Sequence, residues 1–228
     1  MAQKIKPNAL RLGITLSWNS RWFFKKSLNF YIEEDHRIRE VVREKILAAG
    51  IASIEIERLG DTIRVTVKAS RPGLVIGRGG KGIEELKDAI VKAIRKLRIK
   101  NKKSTQFSLS INIDELKRTE VSAAVTAQQI AFDLEKRFPY RSVLKRHLEL
   151  LKQNREVLGA KIKVGGRLNG AEISRSDWLI FGRMPLQNLR ANIDYGEATA
   201  FNTYGTVGVK VWIYKGEIFE EKKVKKTR

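Results

Sequence analysis

The chain has no cysteine, and its only histidines are His36 and His147. The first absence excludes disulfides, thiolate metal sites and cysteine nucleophiles; the second rules out a histidine-rich metal centre. A reducing, cytoplasmic setting fits a chain with no thiols. No apolar run approaches the roughly 18 residues of a spanning helix, and no lipidation signal is present. The opening MAQKIKPNALRLGI has no apolar core followed by a cleavage site, so it does not read as a secretion signal. Carboxylates are missing altogether from Met1 to Phe30, where Lys4, Lys6, Arg11, Arg21, Lys25 and Lys26 lie beside Trp18, Trp22, Phe23 and Phe24. Such a stretch reads as a basic arm, half-ordered until a partner fixes it.

What remains is strongly cationic. The formal net charge is +21 over 228 residues, and 42% of the residues are hydrophobic. That is enough apolar material for one large or two small cores, and far more positive charge than solubility requires. The expected partner is a polyanion, with nucleic acid ahead of a membrane surface.

Along the chain, Asp35 reads as the cap of a helix with Ile38, Val41, Val42 and Ile46 at helical spacing, stopped near Gly50. Ile54 and Ile56 alternate with Glu55 and Glu57, and after Gly60-Asp61 so do Ile63, Val65 and Val67 with Arg64, Thr66 and Lys68. That pattern is a hairpin. Pro72-Gly73 ends it and a glycine-rich loop follows. Ile83, Leu86, Ile90, Ala93 or Ile94, and Leu97 then mark one face of a long helix, and Phe107, Leu109, Ile111 and Ile113 a third strand.

The loop VIGRGGKGIEEL allows three readings. Gly77, Gly79 and Gly82 satisfy G-x-G-x-x-G, but Pro72-Gly73 interrupts the strand that a dinucleotide fold runs into its first glycine. No Gly-Lys-Ser or Gly-Lys-Thr follows, so the nucleotide-hydrolase phosphate loop fails as well. A purely structural turn accounts for the glycines and leaves Arg78 and Lys81 unexplained. Ile76-Gly77-Arg78-Gly79-Gly80 has the I-G-x-x-G form that clamps backbone nucleotides in a KH domain, with Lys81 beside it. The helix, hairpin, loop, helix and strand order resembles the prokaryotic-type (type II) KH fold. The helix after the loop ends in Lys92, Arg95, Lys96, Arg98, Lys100, Lys102 and Lys103, with no acidic residue between Ala89 and Ile113. A phosphate-facing surface is the expectation there.

After Asp114 the pattern changes. Ala123, Ala127, Ile130 and Leu134 mark a helix from Thr119 to Arg137; Phe138-Pro139 interrupts it; Leu144, Leu148 and Leu151 mark a second from Arg141 to Arg155. Strand-like runs follow at 160–164, 171–178, 189–195, 199–204 and 207–214, split by glycines. The expectation is an α+β chain: arm 1–33, type II KH domain 34–114, linker 115–118, a C-terminal two-layer α/β domain 119–216 with a mostly antiparallel sheet, and a polar tail 217–228. Glu172, Asp177, Asp194, Glu197 and Glu217 are carboxylates by type, but they lie among basic residues and form no catalytic grouping, so no enzyme is expected. Nor is any cofactor, metal or obligatory small-molecule ligand.

QKIKPNALRLGI, WNSRWFF, RPGLVIGRGGKGIEEL, GAKIKVGGRLNGAEISR and MPLQNLRANIDYGEATAFNTYGTVGVKVWIYKGE together resemble the bacterial family of small-ribosomal-subunit protein three over nearly the whole chain. The last run is much more specific than the glycine loop. The resemblance implies a place in the head of the small subunit against ribosomal RNA, beside small-subunit proteins ten and fourteen. It also implies a basic helix lining the channel through which messenger RNA enters, associated with unwinding structured messenger. On that helix Arg141 and Lys145 match the family's basic positions and Arg146 flanks them, while Ser142 stands where a second arginine is common. Lys4, Lys6, Arg11, Arg21, Lys25, Lys26 and the lysine-rich helix end become candidates for ribosomal RNA. A free-standing KH RNA chaperone or assembly factor is the alternative.

Overall fold

The computed structural model describes residues 5–22, 28–101, 106–117 and 120–219. Two compact units emerge: residues 18–120, and residues 1–17 together with 121–228. The basic arm is therefore shared between them. Its first half carries helix α1 (Pro7–Arg11) and belongs with the C-terminal unit, whereas β1 (Ser20–Arg21) joins the sheet of the other. Phe23, Phe24, Lys4, Lys25 and Lys26 lie outside the described residues.

The unit 18–120 continues through α2 (Leu28–Ile46), the hairpin β2 (Ile51–Leu59) and β3 (Thr62–Ala69), α3 (Pro72–Ile76), α4 (Lys81–Lys100) and β4 (Ser108–Glu115). Its sheet order is β1-β2-β3-β4, with β1 parallel to β2, β2 antiparallel to β3 and β3 parallel to β4. Period-two alternation sends Ile54, Ile56, Ile63, Val65 and Val67 to one face, where Ile38 and Val42 of α2 and Leu86, Ile90 and Ile94 of α4 cover them. Burying each such side chain is worth about 1.5–3 kcal/mol. This is the expected helix, hairpin, loop, helix, strand order.

Asp35 does not cap a helix. Helix α2 begins seven residues earlier, at Leu28, and Asp35 is buried within it beside Glu34. Arg58 of β2 donates Nε to Asp35 Oδ1 at 3.0 Å and Nη1 to Glu34 Oε2 at 2.5 Å. Arg98 of α4 donates Nε to Glu34 Oε1 at 2.7 Å, while Ser20 Oγ and Trp22 Nε1 donate to Asp35 Oδ2 at 2.8 and 2.9 Å. A helical pattern with an acidic residue near its visible start looks like a cap, and only the tertiary arginines show that the carboxylate is internal.

The C-terminal unit contains α5 (Ala123–Glu135), α6 (Tyr140–Gln153), β5 (Gly159–Gly166), β6 (Arg175–Gly182), β7 (Ala191–Asn202) and β8 (Gly205–Glu217). Its sheet is antiparallel throughout, in the order β6-β5-β8-β7. Ile130, Leu134, Val143, Leu144 and Leu151 pack on Ile162, Val164, Val209, Val211 and Ile213. The runs expected at 189–195 and 199–204 are one strand. Gly196, read as a break, is buried in β7 because a Cβ there would lie 2.3 Å from the Ala123 carbonyl oxygen. The start of α5 sits on that glycine, and Asp194 of the same strand caps it by accepting the Ala123 N–H at 2.8 Å.

Arg11 secures the arm to this unit. It is 1% exposed and donates to the carbonyls of Pro7, Leu186, Asn188 and Ala191 at 2.7–3.1 Å. Burial lowers its pKa from the ordinary arginine value. No described helix is long and apolar enough to cross a membrane.

Replacing Arg58 by Met strands Glu34 and Asp35 without their shared partner. A loss of about 3–5 kcal/mol is expected for the unit 18–120, measured as faster amide exchange in β2 and β3 with exchange in β7 and β8 unchanged.

Candidate nucleic-acid interface

The glycine loop joins α3 to α4 through a single 3-10 turn, Arg78–Gly80. Gly77, Gly79 and Gly80 have φ of +69°, +64° and +80°, a region that disfavours side chains. Their roles differ. A Cβ on Gly77 would lie 3.0 Å from the Gly82 nitrogen, and one on Gly82 would lie 2.5 Å from the Val75 carbonyl oxygen, so this pair lets the two helices cross. Around Gly79 and Gly80 nothing lies within 4 Å. The loop tip is thus open to a close-approaching backbone, with exposed Arg78 and Lys81 on either side. Gly80 occupies the N-cap of α4 and supplies no side-chain cap. The first amides of this 20-residue helix face the loop with the positive end of its dipole, an arrangement suited to phosphate.

Further along α4, Lys92, Arg95, Lys96 and Lys100 are exposed, with Lys92, Lys96 and Lys100 in one row at four-residue spacing. None of them, nor Arg78 or Lys81, has an acidic partner among the described residues. Arg98 is a correction to the basic row. It is 6% exposed, paired with Glu34, and stacked 4.7 Å from the Phe107 ring centroid, so it belongs to the core. Lys102 and Lys103 lie outside the described residues.

Arg11 is likewise removed from the RNA-facing set by its burial against four carbonyls. Lys6 donates Nζ to Glu197 Oε1 within its own unit, and Arg21 pairs with Glu55 and Glu57 across β1 and β2 at 3.7 and 3.3 Å. The carboxylate of Glu197 sits below its usual range, chiefly through the Lys6 hydrogen bond. Tyr195, which donates its hydroxyl proton to Glu197 at 3.0 Å, is pushed up, mainly by burial.

On α6, Arg141 and Lys145 are exposed one turn apart and have no acidic partner among the described residues. Arg141 Nε donates to the Tyr140 hydroxyl at 3.1 Å, which aims the guanidinium from a buried ring. Arg146 differs from both. It pairs with Asp133 of α5, which also meets His147 Nε2 at 2.8 Å, and its guanidinium lies 6.0 Å from the Phe138 ring centroid. Sequence spacing placed Arg146 beside the other two, but could not show that Asp133 occupies it.

Four of the five carboxylates considered for catalysis are engaged structurally. Asp194 caps α5, Glu197 holds Lys6 and Tyr195, Glu217 accepts Asn188 Nδ2 at 2.9 Å, and Asp177 Oδ1 accepts the Trp178 N–H at 2.9 Å. Among the described residues there is no group of three or more His, Cys, Asp and Glu able to hold a metal. Sequence reasoning missed a different set: Arg137, Arg167, Asn202 and Tyr204 converge on one cleft beside the start of α6. Their separation by up to 67 positions left no local pattern to read.

The KH domain family matches residues 37–121, and the family "Ribosomal protein S3, C-terminal domain" matches residues 130–213. The chain is 43% identical over 238 residues to small ribosomal subunit protein uS3 of Campylobacter concisus, covering 100% of this chain and 97% of that protein. It is 42% identical over 225 residues to the uS3 of Persephonella marina, with 98% and 94% covered, and 44% identical over 220 residues to that of Oleidesulfovibrio alaskensis, with 96% and 98% covered.

The glycine roles separate experimentally. Gly82→Ala drives a methyl into the Val75 carbonyl and is expected to lower the melting temperature of the unit 18–120 by several degrees. Gly79→Ala meets no neighbour, costs about 1–2 kcal/mol of backbone strain, and is expected to leave the folded structure intact by circular dichroism and amide exchange.

Proposed function

The chain belongs to the ribosomal protein S3 family, and from that premise we propose that it is a structural RNA-binding protein of the small ribosomal subunit in the cytoplasm. In this reading the KH unit holds ribosomal RNA and α6 lines the channel through which messenger enters. The observation that carries it is the grouping of exposed cations without acidic partners: Arg78 and Lys81 at the glycine loop with Lys92, Arg95, Lys96 and Lys100 along α4 in one unit, Arg141 and Lys145 one turn apart on α6 in the other. Cations that the fold does not neutralise are held ready for an external polyanion, and their binding releases the counterions condensed on it. Lys4, Lys25, Lys26, Lys102 and Lys103, outside the described residues, add to the same role. Lys6, Arg21 and Arg146 act through the elements they pin.

Messenger contact is made without base readout by Arg141 and Lys145, because a translating ribosome accepts any sequence and phosphates are common to all. Holding the incoming strand in single-stranded form assists unwinding with no hydrolysis by this chain; the family is a structural one and not an enzyme family. Small-subunit proteins ten and fourteen are the proposed protein neighbours. Trp178 and Ile180, 51% and 45% exposed on one face of β6, supply apolar surface of the kind such neighbours cover.

Two measurements test this reading. Arg78→Asp with Lys81→Asp is expected to weaken binding of the full chain to unstructured RNA and to reduce the slope of log K against log salt by about 1–2; unchanged affinity and slope would remove the loop from the RNA interface. Arg141→Ala with Lys145→Ala is expected to leave subunit assembly intact and to slow elongation through a stable messenger hairpin several-fold, with unstructured messages affected much less. An equal slowing on both messages, or none on either, rejects the channel role.

A further inference from the structure

At one end of the C-terminal unit, the α5–α6 connection, the turn after β5 and the β7–β8 hairpin enclose a cleft of about 260 Å³. Of the three aromatic residues that line it, Tyr140 is buried, while Phe138 at 47% and Tyr204 at 59% are exposed. The Tyr204 ring lies over Gly170, where a Cβ would come within 3.2 Å of its Cδ2, so glycine is what lets the ring lie flat on the backbone. Arg167 holds the hairpin in place: Nε donates to Ala171 O at 2.9 Å, Nη1 to Tyr204 O at 3.2 Å, and the guanidinium stands 5.8 Å from the Tyr204 ring centroid. The walls are therefore fixed by the fold.

Arg137, also on the cleft, ends α5 with φ of +63°: its N–H donates to Leu134 O at 3.0 Å and the Phe138 N–H donates to Asp133 O at 3.2 Å, the paired bonds of a helix C-cap. That cap fixes the backbone from which Phe138 projects on to the cleft. Exposed aromatic faces select a planar ring, and the neighbouring cations select an attached anion.

We propose that this cleft is a base-receiving subsite, in which Phe138 and Tyr204 flank one unstacked nucleobase of a single-stranded RNA. The site is continuous with the basic face of α6. Tyr140, which lines the cleft, carries Arg141 on its hydroxyl, and Arg146 stands over Phe138. A strand passing Arg141 and Lys145 places its phosphates on those side chains and Arg137 while turning one base inward. Every nucleobase offers a stacking face, so the subsite tolerates any sequence. This inference rests on the messenger-path reading and adds the group that keeps the strand unstacked.

The test uses the full chain with a labelled single-stranded RNA hexamer and an abasic hexamer of the same number of phosphates, at one salt concentration. Phe138→Ala with Tyr204→Ala is expected to weaken binding of the base-bearing hexamer about fivefold or more and to leave the abasic hexamer unaffected. Arg141→Ala with Lys145→Ala is expected to weaken both hexamers alike. Unchanged binding of the base-bearing hexamer by the aromatic variant overturns the subsite; unchanged binding of both hexamers by the Arg141 and Lys145 variant overturns the phosphate path and leaves the subsite to be judged by the aromatic variant. In the unmodified chain, a hexamer carrying 5-iodouridine is expected to photocrosslink to Tyr204 or Phe138, mapped by mass spectrometry. Crosslinks confined to other residues overturn the subsite independently of any variant's folding.

Discussion

Glu34 and Asp35, adjacent on α2, are the charges around which the unit 18–120 is assembled. From one turn of helix they reach Arg58 on β2 and Arg98 on α4, and they take the hydrogen bonds of Ser20 in β1 and Trp22 just after it. Removing two carboxylates from water is costly, and it is tolerated here because nearly every lone pair is met by a guanidinium, hydroxyl or indole donor. The geometry follows from that requirement. With Arg58 fixed on the inner face of β2 and Arg98 on the inner face of α4, α2 can pack in only one register, which in turn sets Ile38 and Val42 against Ile90 and Ile94.

The same pairing decides which cations remain for function. A chain with 46 basic and 25 acidic residues cannot neutralise itself. Its carboxylates are spent on particular partners: Glu34 and Asp35 on buried arginines, Glu55 and Glu57 on Arg21, Asp133 on Arg146 and His147, Glu197 on Lys6. Many exposed cations are left over among the described residues, Lys45, Arg71, Lys136 and Arg190 among them. Those at the tip of the glycine loop, along one row of α4 and on one face of α6 are grouped, each set close enough to meet consecutive phosphates of one strand.

Glycine plays a comparable double part. Gly82 and Gly196 are places where one backbone lies against another, and they fix the α3–α4 crossing and the seat of α5 on β7. A Cβ on Gly79 or Gly80 would meet nothing, which leaves the loop tip open to an approach from outside. In a sequence these residues look alike; the neighbour, or its absence, separates the glycines that packing requires from those it does not.

Alternation of apolar residues was enough to define the hairpin of 51–69, the amphipathic faces of α4 and α6, and the α+β class, because period 2 and period 3.6 are local properties of the chain. The I-G-x-x-G loop and the unbroken basic run on α4 were legible for the same reason: each is contiguous. Contacts between distant residues decided the rest. Asp35 looked like a cap until Arg58, 23 positions on, made it a buried partner. Gly196 looked like a break until the Ala123 carbonyl, 73 positions before it, explained its missing side chain. Arg11 and Arg98 looked like RNA ligands until carbonyls and a carboxylate enclosed them, and the cleft of Phe138, Asn202 and Tyr204 had no sequence signature at all. Charge and periodicity are written along the chain, but whether a given charge is spent inside the protein or left for a partner depends on which remote groups the fold brings within about 3 Å of it.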